Sequence, residues 1–279
     1  MSRIAEALKK SRGEIAQPGA LDTASADAWT ISDRAWDLTS APPVPDRTPV
    51  IQTPPAREDL ALPALPSTAI SQEELARLVQ RLFQSAAGTK GVRSVLFSTV
   101  GEQADSASLC AWTAHALAAR TSDSVCVIDA NLRRPGLHAV YGLPATHGLS
   151  DALMDPDPAA DVGCLVARIE RNLWLLPAGS RGAAALPYFV AEQLRVRLLQ
   201  LLATFEYVLV DAAAAGGYTD VSVLGALVDG VVLVVEANAT RRDAARRVAA
   251  QLRSANVRVL GAILTNRTFP IPDVIYRLL

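Results

Sequence analysis

From residue 93 onward, short apolar runs alternate with stretches in which apolar residues recur every three or four positions. The runs Ser94–Ser98, Ser124–Asp129, Leu173–Leu176, Tyr207–Asp211, Val231–Glu236 and Arg258–Leu264 are strand-sized. VCVID, YVLVD and VVLVV are apolar throughout, apart from terminal acids. A strand reads this way when helices cover both faces of a parallel sheet. Between the runs, Leu109–Ala119, Leu149–Met154, Tyr188–Ala203, Asp220–Val228 and Arg241–Ser254 read as helices. In the last of these, Ala244, Val248, Ala249 and Leu252 share one side and arginines take the other. Strands alternating with helices predict an α/β domain with a doubly wound, mostly parallel sheet. A further helix is predicted ahead of it at Ser71–Ser85, where Leu75, Leu78, Val79, Leu82 and Phe83 form one apolar stripe. Glu73, Glu74, Arg77 and Arg81 lie on its other face.

Upstream the pattern breaks. Nine of the 17 prolines precede Ser67, including Pro42-Pro43 and Pro54-Pro55. Proline at this density blocks helix and central strand alike. The predicted organisation is a short N-terminal helix at 1–12, a disordered Pro-rich linker at 13–70 and the α/β domain at 71–279. In the first segment Ile4 and Leu8 share a face and Ser2 serves as N-cap.

Composition narrows the class. Half of the 279 residues are hydrophobic, which excludes wholesale disorder, and the formal charge of −1 provides no global field for nucleic acid. Cys110, Cys126 and Cys164 are scattered through apolar runs, unlike a disulfide framework or a zinc site. MSRIAEALKK lacks the apolar centre of a signal peptide, and no apolar run reaches membrane-spanning length. A soluble, cytoplasmic protein is the expectation.

The candidate chemistry lies at the carboxyl ends of the predicted strands. Arg93–Ser98, the turn from Gly101 to Ser108 and the following helix form a strand–loop–helix unit, where a mononucleotide-binding fold holds phosphates on backbone N–H groups. The unit lacks its usual cation. The only lysines, Lys9, Lys10 and Lys90, precede the strand, and no glycine lies between Gly101 and Gly136. Asp129 and Asp211 each end a strand. A buried acid is costly there unless it meets a cation or backbone donors. Two such acids facing one phosphate loop suit Mg²⁺ and its waters; the other reading is that each caps a neighbouring helix or loop. Arg133 and Arg134 follow Asp129 closely enough to reach phosphates or a partner's acidic face.

The segment DANLRRPGLHAVYGLPATHGLSDAL resembles the stretch after the second strand in bacterial tyrosine autokinases of capsule and exopolysaccharide systems. LWLLPAGS, YVLVDAAAAGGYTD and DGVVLVVEANATRRDAARRVAAQLRSANVRVLGAILTNR resemble that family's later segments. ELARLVQRLF is similar to its leading helix and MSRIAEALKK to the short helix of its cytoplasmic versions. The resemblance implies a P-loop NTPase-type fold that binds ATP and Mg²⁺. Asp129 matches the first acid of the family's second Walker motif, with roles in metal binding and catalysis, and Arg133 matches that motif's arginine. Asp211 matches the Walker B aspartate, a second metal ligand. Asn266 matches the residue that contacts the nucleotide base. Gly101, Glu102, Ser106 and Ser108 fall in the phosphate loop.

Departures from the family pattern are concentrated at the same site. Asn131 replaces the motif's second aspartate, and Ala213 and Ala214 replace a proline pair. Ser106 stands about where the phosphate lysine belongs, Ala107 where the Mg²⁺-binding hydroxyl belongs, and Asp105 at a position normally given to glycine. The family's C-terminal tyrosine cluster is reduced to Tyr276. Losing the lysine removes a contact of roughly 1.5–3 kcal/mol, and removing such a donor costs on the order of 10²–10³ in rate. The expectation is a catalytically impaired regulatory or scaffolding relative. Its expected partner is an inner-membrane chain-length-determining protein that recruits it to that membrane; homo-oligomers through the leading helix are also implied, and no nucleic acid. Two alternatives stay open: an active protein-tyrosine kinase with an unorthodox loop, and a membrane-positioning ATPase of the partition type.

Overall fold

The computed structural model describes residues 71–83, 91–101, 104–144, 147–155, 157, 160–182, 184–185, 191–217 and 220–266. The predicted N-terminal helix and linker, Glu102 and Tyr276 lie outside them. Seven strands form one sheet: β1 (Ser94–Thr99), β2 (Val125–Asp129), β3 (Ala167–Glu170), β4 (Leu173–Leu176), β5 (Tyr207–Ala212), β6 (Gly230–Glu236) and β7 (Val259–Thr265). Their order is β3-β4-β2-β5-β1-β6-β7. Every neighbouring pair is parallel except β3 with β4.

Helices α1 (Gln72–Phe83), α2 (Ser106–Ala118) and α3 (Leu137–Val140) lie on one face of the sheet. On the other face are α4 (Leu149–Met154), α5 (Ala191–Thr204), α6 (Asp220–Gly225) and α7 (Arg242–Ser254). The alternation of side chains along each strand builds two cores. Val95, Phe97, Val125, Val127 and Leu209 point to the first face, and Leu96, Cys126, Ile128, Val208 and Val210 to the second. The central strands are wholly buried, hence their unbroken apolar runs. Helix α2 is apolar almost all round because it is sandwiched between the sheet and α1.

All six predicted strands are present. β3 is an addition: ARIE carries no apolar run and is held by antiparallel pairing with β4 at the sheet edge. α3 is a second addition. α2 begins at Ser106 rather than Leu109, and α6 ends at Gly225 rather than Val228.

Two loop crossings shape the edge that carries the candidate chemistry. Leu149 and Ser150 donate N–H groups to the carbonyls of Pro177 and Ala178, both at 2.8 Å. Gly148 sits so close to the Pro177 carbonyl that a Cβ would collide with it, which explains the glycine. Beyond β5, Ala215 N–H donates to Thr99 O at 2.8 Å, and the Ser98 hydroxyl donates to Ala213 O at 2.6 Å. The exits of β1 and β5 are therefore fixed to each other.

Candidate nucleotide site

Asp129 and Asp211 are directly paired in the β2–β5 register at the carboxyl edge of the sheet. Both are fully buried. Their surroundings differ. One Asp129 oxygen accepts from Asn131 N–H at 3.2 Å, and the other accepts from Gly136 and Leu137 N–H, each at 3.0 Å. The loop from Asn131 to Gly136 thus folds around this carboxylate and delivers the amino end of α3 to it. A carboxylate has about four acceptor sites, so roughly one remains for an outside cation. Burial pushes the Asp129 carboxyl up to about 6, even though the three N–H donors pull it down.

Asp211 has no such partners. Neither of its oxygens meets a hydrogen-bond donor among the described residues. Burial holds its carboxyl well above the usual range, and the neighbouring charges of Asp129 and Asp105 add to this. The Ser106 side chain draws it down without reaching full hydrogen-bonding geometry. The Cys110 thiol, buried on α2 beside the same two acids, is likewise pushed up. It is a core thiol, not a nucleophile.

The phosphate-loop residues are organised around α2. Ser106 is its first residue and is buried. Ser108 N–H donates to the Asp105 carboxylate at 3.0 Å, making Asp105 the N-cap. The sequence carried this signal, since aspartate ahead of an apolar run is a common helix start. Gly101 lies beside β1, where Val100, Gly101, Ala214, Gly216, Gly217, Arg247 and Gln251 line a cleft of about 430 Å³.

The two predicted outer contributors lie further out. Arg133 donates from Nε and Nη2 to one Asp220 oxygen at 3.2 and 3.1 Å, tying the loop after β2 to the start of α6. Asn131 accepts from Arg134 N–H at 3.1 Å through its side-chain oxygen, a local turn contact. Asn266 follows β7, two strands beyond β1 in the sheet order, and adopts a left-handed backbone with φ 54°. Its amide donates to Glu236 at 2.9 Å. Asp129, Asp211 and Ser106 are therefore brought together, whereas Arg133 and Asn266 are held at the rim by acidic partners.

The residues present fit half of a Mg·ATP site. The orphaned Asp211 oxygens and the spare acceptor of Asp129 suit a hydrated Mg²⁺, which uses few protein ligands and keeps its waters. The phosphate end does not match: its helix terminus is capped by Asp105, and the loop has no lysine.

No family model matches the chain. The Staphylococcus aureus protein named tyrosine-protein kinase CapB is 26% identical over 138 residues, covering 50% of this chain and 60% of that protein. Tyrosine-protein kinase YwqD of Bacillus subtilis is 25% identical over 149 residues, covering 53% of this chain and 62% of its own length. The chain thus spans about three fifths of each relative. Among solved structures, the kinase domain of the Escherichia coli tyrosine kinase ETK superposes with a TM-score of 0.63 at 20% identity, covering 72% of this chain and 77% of that one. That likeness bears on the fold, and it agrees with the parallel sheet and flanking helices described above. In sequence, the chain is therefore similar to proteins named as bacterial tyrosine-protein kinases.

Proposed function

We propose that this protein is a catalytically impaired, tyrosine-kinase-like subunit that regulates or scaffolds a capsule or exopolysaccharide assembly. The observation that carries the reading is the asymmetry of the site. Its metal end keeps Asp129 and Asp211 side by side, while its phosphate end has Asp105 as N-cap and no lysine. Phosphoryl transfer depends mainly on positioning and on neutralising the migrating charge. A cradle that lacks the ammonium and carries a carboxylate at the adjoining helix cap does neither well. ATP and Mg²⁺ remain the nucleotide and ion of this reading, held weakly. The partner we propose is an inner-membrane chain-length-determining protein, which would recruit the chain from the cytoplasm to that membrane. Among the described residues no helix is long and apolar enough to cross a membrane. The exposed charges of α1, Glu73, Glu74, Arg77 and Arg81, are the proposed surface for self-assembly.

The test is incubation of the purified chain with γ-labelled ATP and Mg²⁺ beside an Asp129→Ala control. The expected result is label incorporation no greater than in the control. Robust phosphotyrosine that depends on Asp129 would replace this reading with an active kinase.

A further inference from the structure

We propose that Asp105 is the specificity-determining residue that closes the cradle to polyphosphate, its carboxylate taking the place of a ligand's anion at the amino end of α2. The proposal rests on the reading of this site as an impaired nucleotide cradle and adds the residue responsible.

The 13-residue helix α2 starts in the loop after β1, and the first N–H groups of such a helix lack intrahelical acceptors, the arrangement that ordinarily holds a phosphate. Here the Asp105 carboxylate already accepts the Ser108 N–H at 3.0 Å. Asp105 is exposed, so its charge faces the solvent from which a polyanion would arrive. A second, independent observation marks the same space. Fully buried Asp211 has two oxygens without hydrogen-bond partners among the described residues, and it senses both Ser106 and Asp105. The next residue after the cap, Ser106, is buried towards Asp211 instead of extending outward as a lysine would. Arg133, the arginine of the motif, is engaged by Asp220. An incoming phosphate thus meets one carboxylate already on the Ser108 N–H and another buried behind it.

Asparagine is as good an N-cap as aspartate but carries no charge. Asp105→Asn therefore removes the repulsion and keeps the helix start. The experiment uses the full chain in four forms: unmodified, Asp105→Asn, Ser106→Lys and the double variant. Each is titrated calorimetrically with Mg·ADP at low salt and at roughly 0.5 M salt, where surface charge is strongly screened. The expected result is that Asn at 105 tightens binding at least tenfold at low salt in both backgrounds, with a smaller gain at high salt. Equal affinities with Asp and Asn at 105 overturn the proposal. Ser106 is buried, so lysine there is a demanding substitution. A second readout uses only the single variant: inorganic pyrophosphate should raise the melting temperature of Asp105→Asn and not that of the unmodified chain. Equal responses, including none in either protein, again overturn it. Asp129-dependent phosphotransfer by the unmodified chain would sink the impaired-kinase reading, whereas equal affinities at position 105 sink this inference alone.

Discussion

Asp211→Asn is expected to stabilise this protein by about 1–3 kcal/mol at neutral pH, whereas Asp129→Ala is expected to destabilise it by about 2–4 kcal/mol. The two acids are register partners with equal burial, and only their hydrogen bonds differ. Asp129 satisfies the N–H groups of Asn131, Gly136 and Leu137. Alanine would leave those three donors without their acceptor and loosen the loop that starts α3. Asp211 makes no full hydrogen bond among the described residues, and only the Ser106 side chain offsets part of the cost of its burial. An amide of the same shape escapes that cost.

The pH dependence has a definite sign. The folded-state pKa of Asp211 lies well above its unfolded value, so its stabilising contribution is complete below the unfolded pKa and is lost as pH rises towards the folded one. The advantage of Asp211→Asn over the unmodified chain should therefore widen as pH rises above the unfolded carboxylate value. Asp129, at about 6 in the fold, follows the same sign over a narrower window, from near pH 4 to near pH 6. Chemical denaturation of the unmodified chain and both variants across this range checks the assignment. A destabilised Asp211→Asn protein in metal-free buffer would show that Asp211 is a structural acid like its neighbour. Added Mg²⁺ should reduce the variant's advantage, because only the aspartate form offers the ion a charge.

The second large effect lies away from the site. Arg197 on α5 is 4% exposed, and its guanidinium donates to three backbone carbonyls. Nε and Nη2 reach Ala152 O at 3.2 and 3.0 Å, Nη2 also reaches Asp157 O at 3.0 Å, and Nη1 reaches Ala160 O at 2.6 Å. Ala152 lies near the carboxyl end of α4, where orphan carbonyls favour a cation. Arg197 thus fastens α4 and the residues after it to α5. Arg197→Ala should cost about 3–5 kcal/mol, since several acceptors lose a charged donor in a largely dry setting. That corresponds to a melting temperature lower by roughly 10 °C. Lysine should recover only part of this, because an ammonium cannot reproduce the planar fork. Calorimetric unfolding of the three proteins provides the comparison, and a loss under about 1 kcal/mol for alanine would mean the clasp is decorative.

The sequence was most informative where burial acts on every residue of an element. VCVID, YVLVD and VVLVV have no exposed face, so their composition alone declares central strands. β3 gave no such signal because an edge strand of four residues owes its form to its partner β4. Arg197 was illegible for a related reason: an arginine in an amphipathic helix looks solvated until the carbonyls it binds are brought in from a different element. At the site, the chain showed that lysine and glycines were missing and that two acids each ended a strand. It did not show which acid was satisfied, because that depends on the backbone path from Asn131 to Leu137. Asp105 read as a departure from a motif. Its contact with Ser108 N–H shows that it is also the N-cap of α2.

On the function proposed above, this cradle has kept its place for a cation and lost its place for phosphate. Calorimetric titration of the unmodified chain with Mg·ATP tests it most directly. The expected outcome is no saturable binding below about 1 mM, the upper end of ordinary enzyme–substrate affinities. Micromolar binding of Mg·ATP that disappears in Asp129→Ala would contradict it.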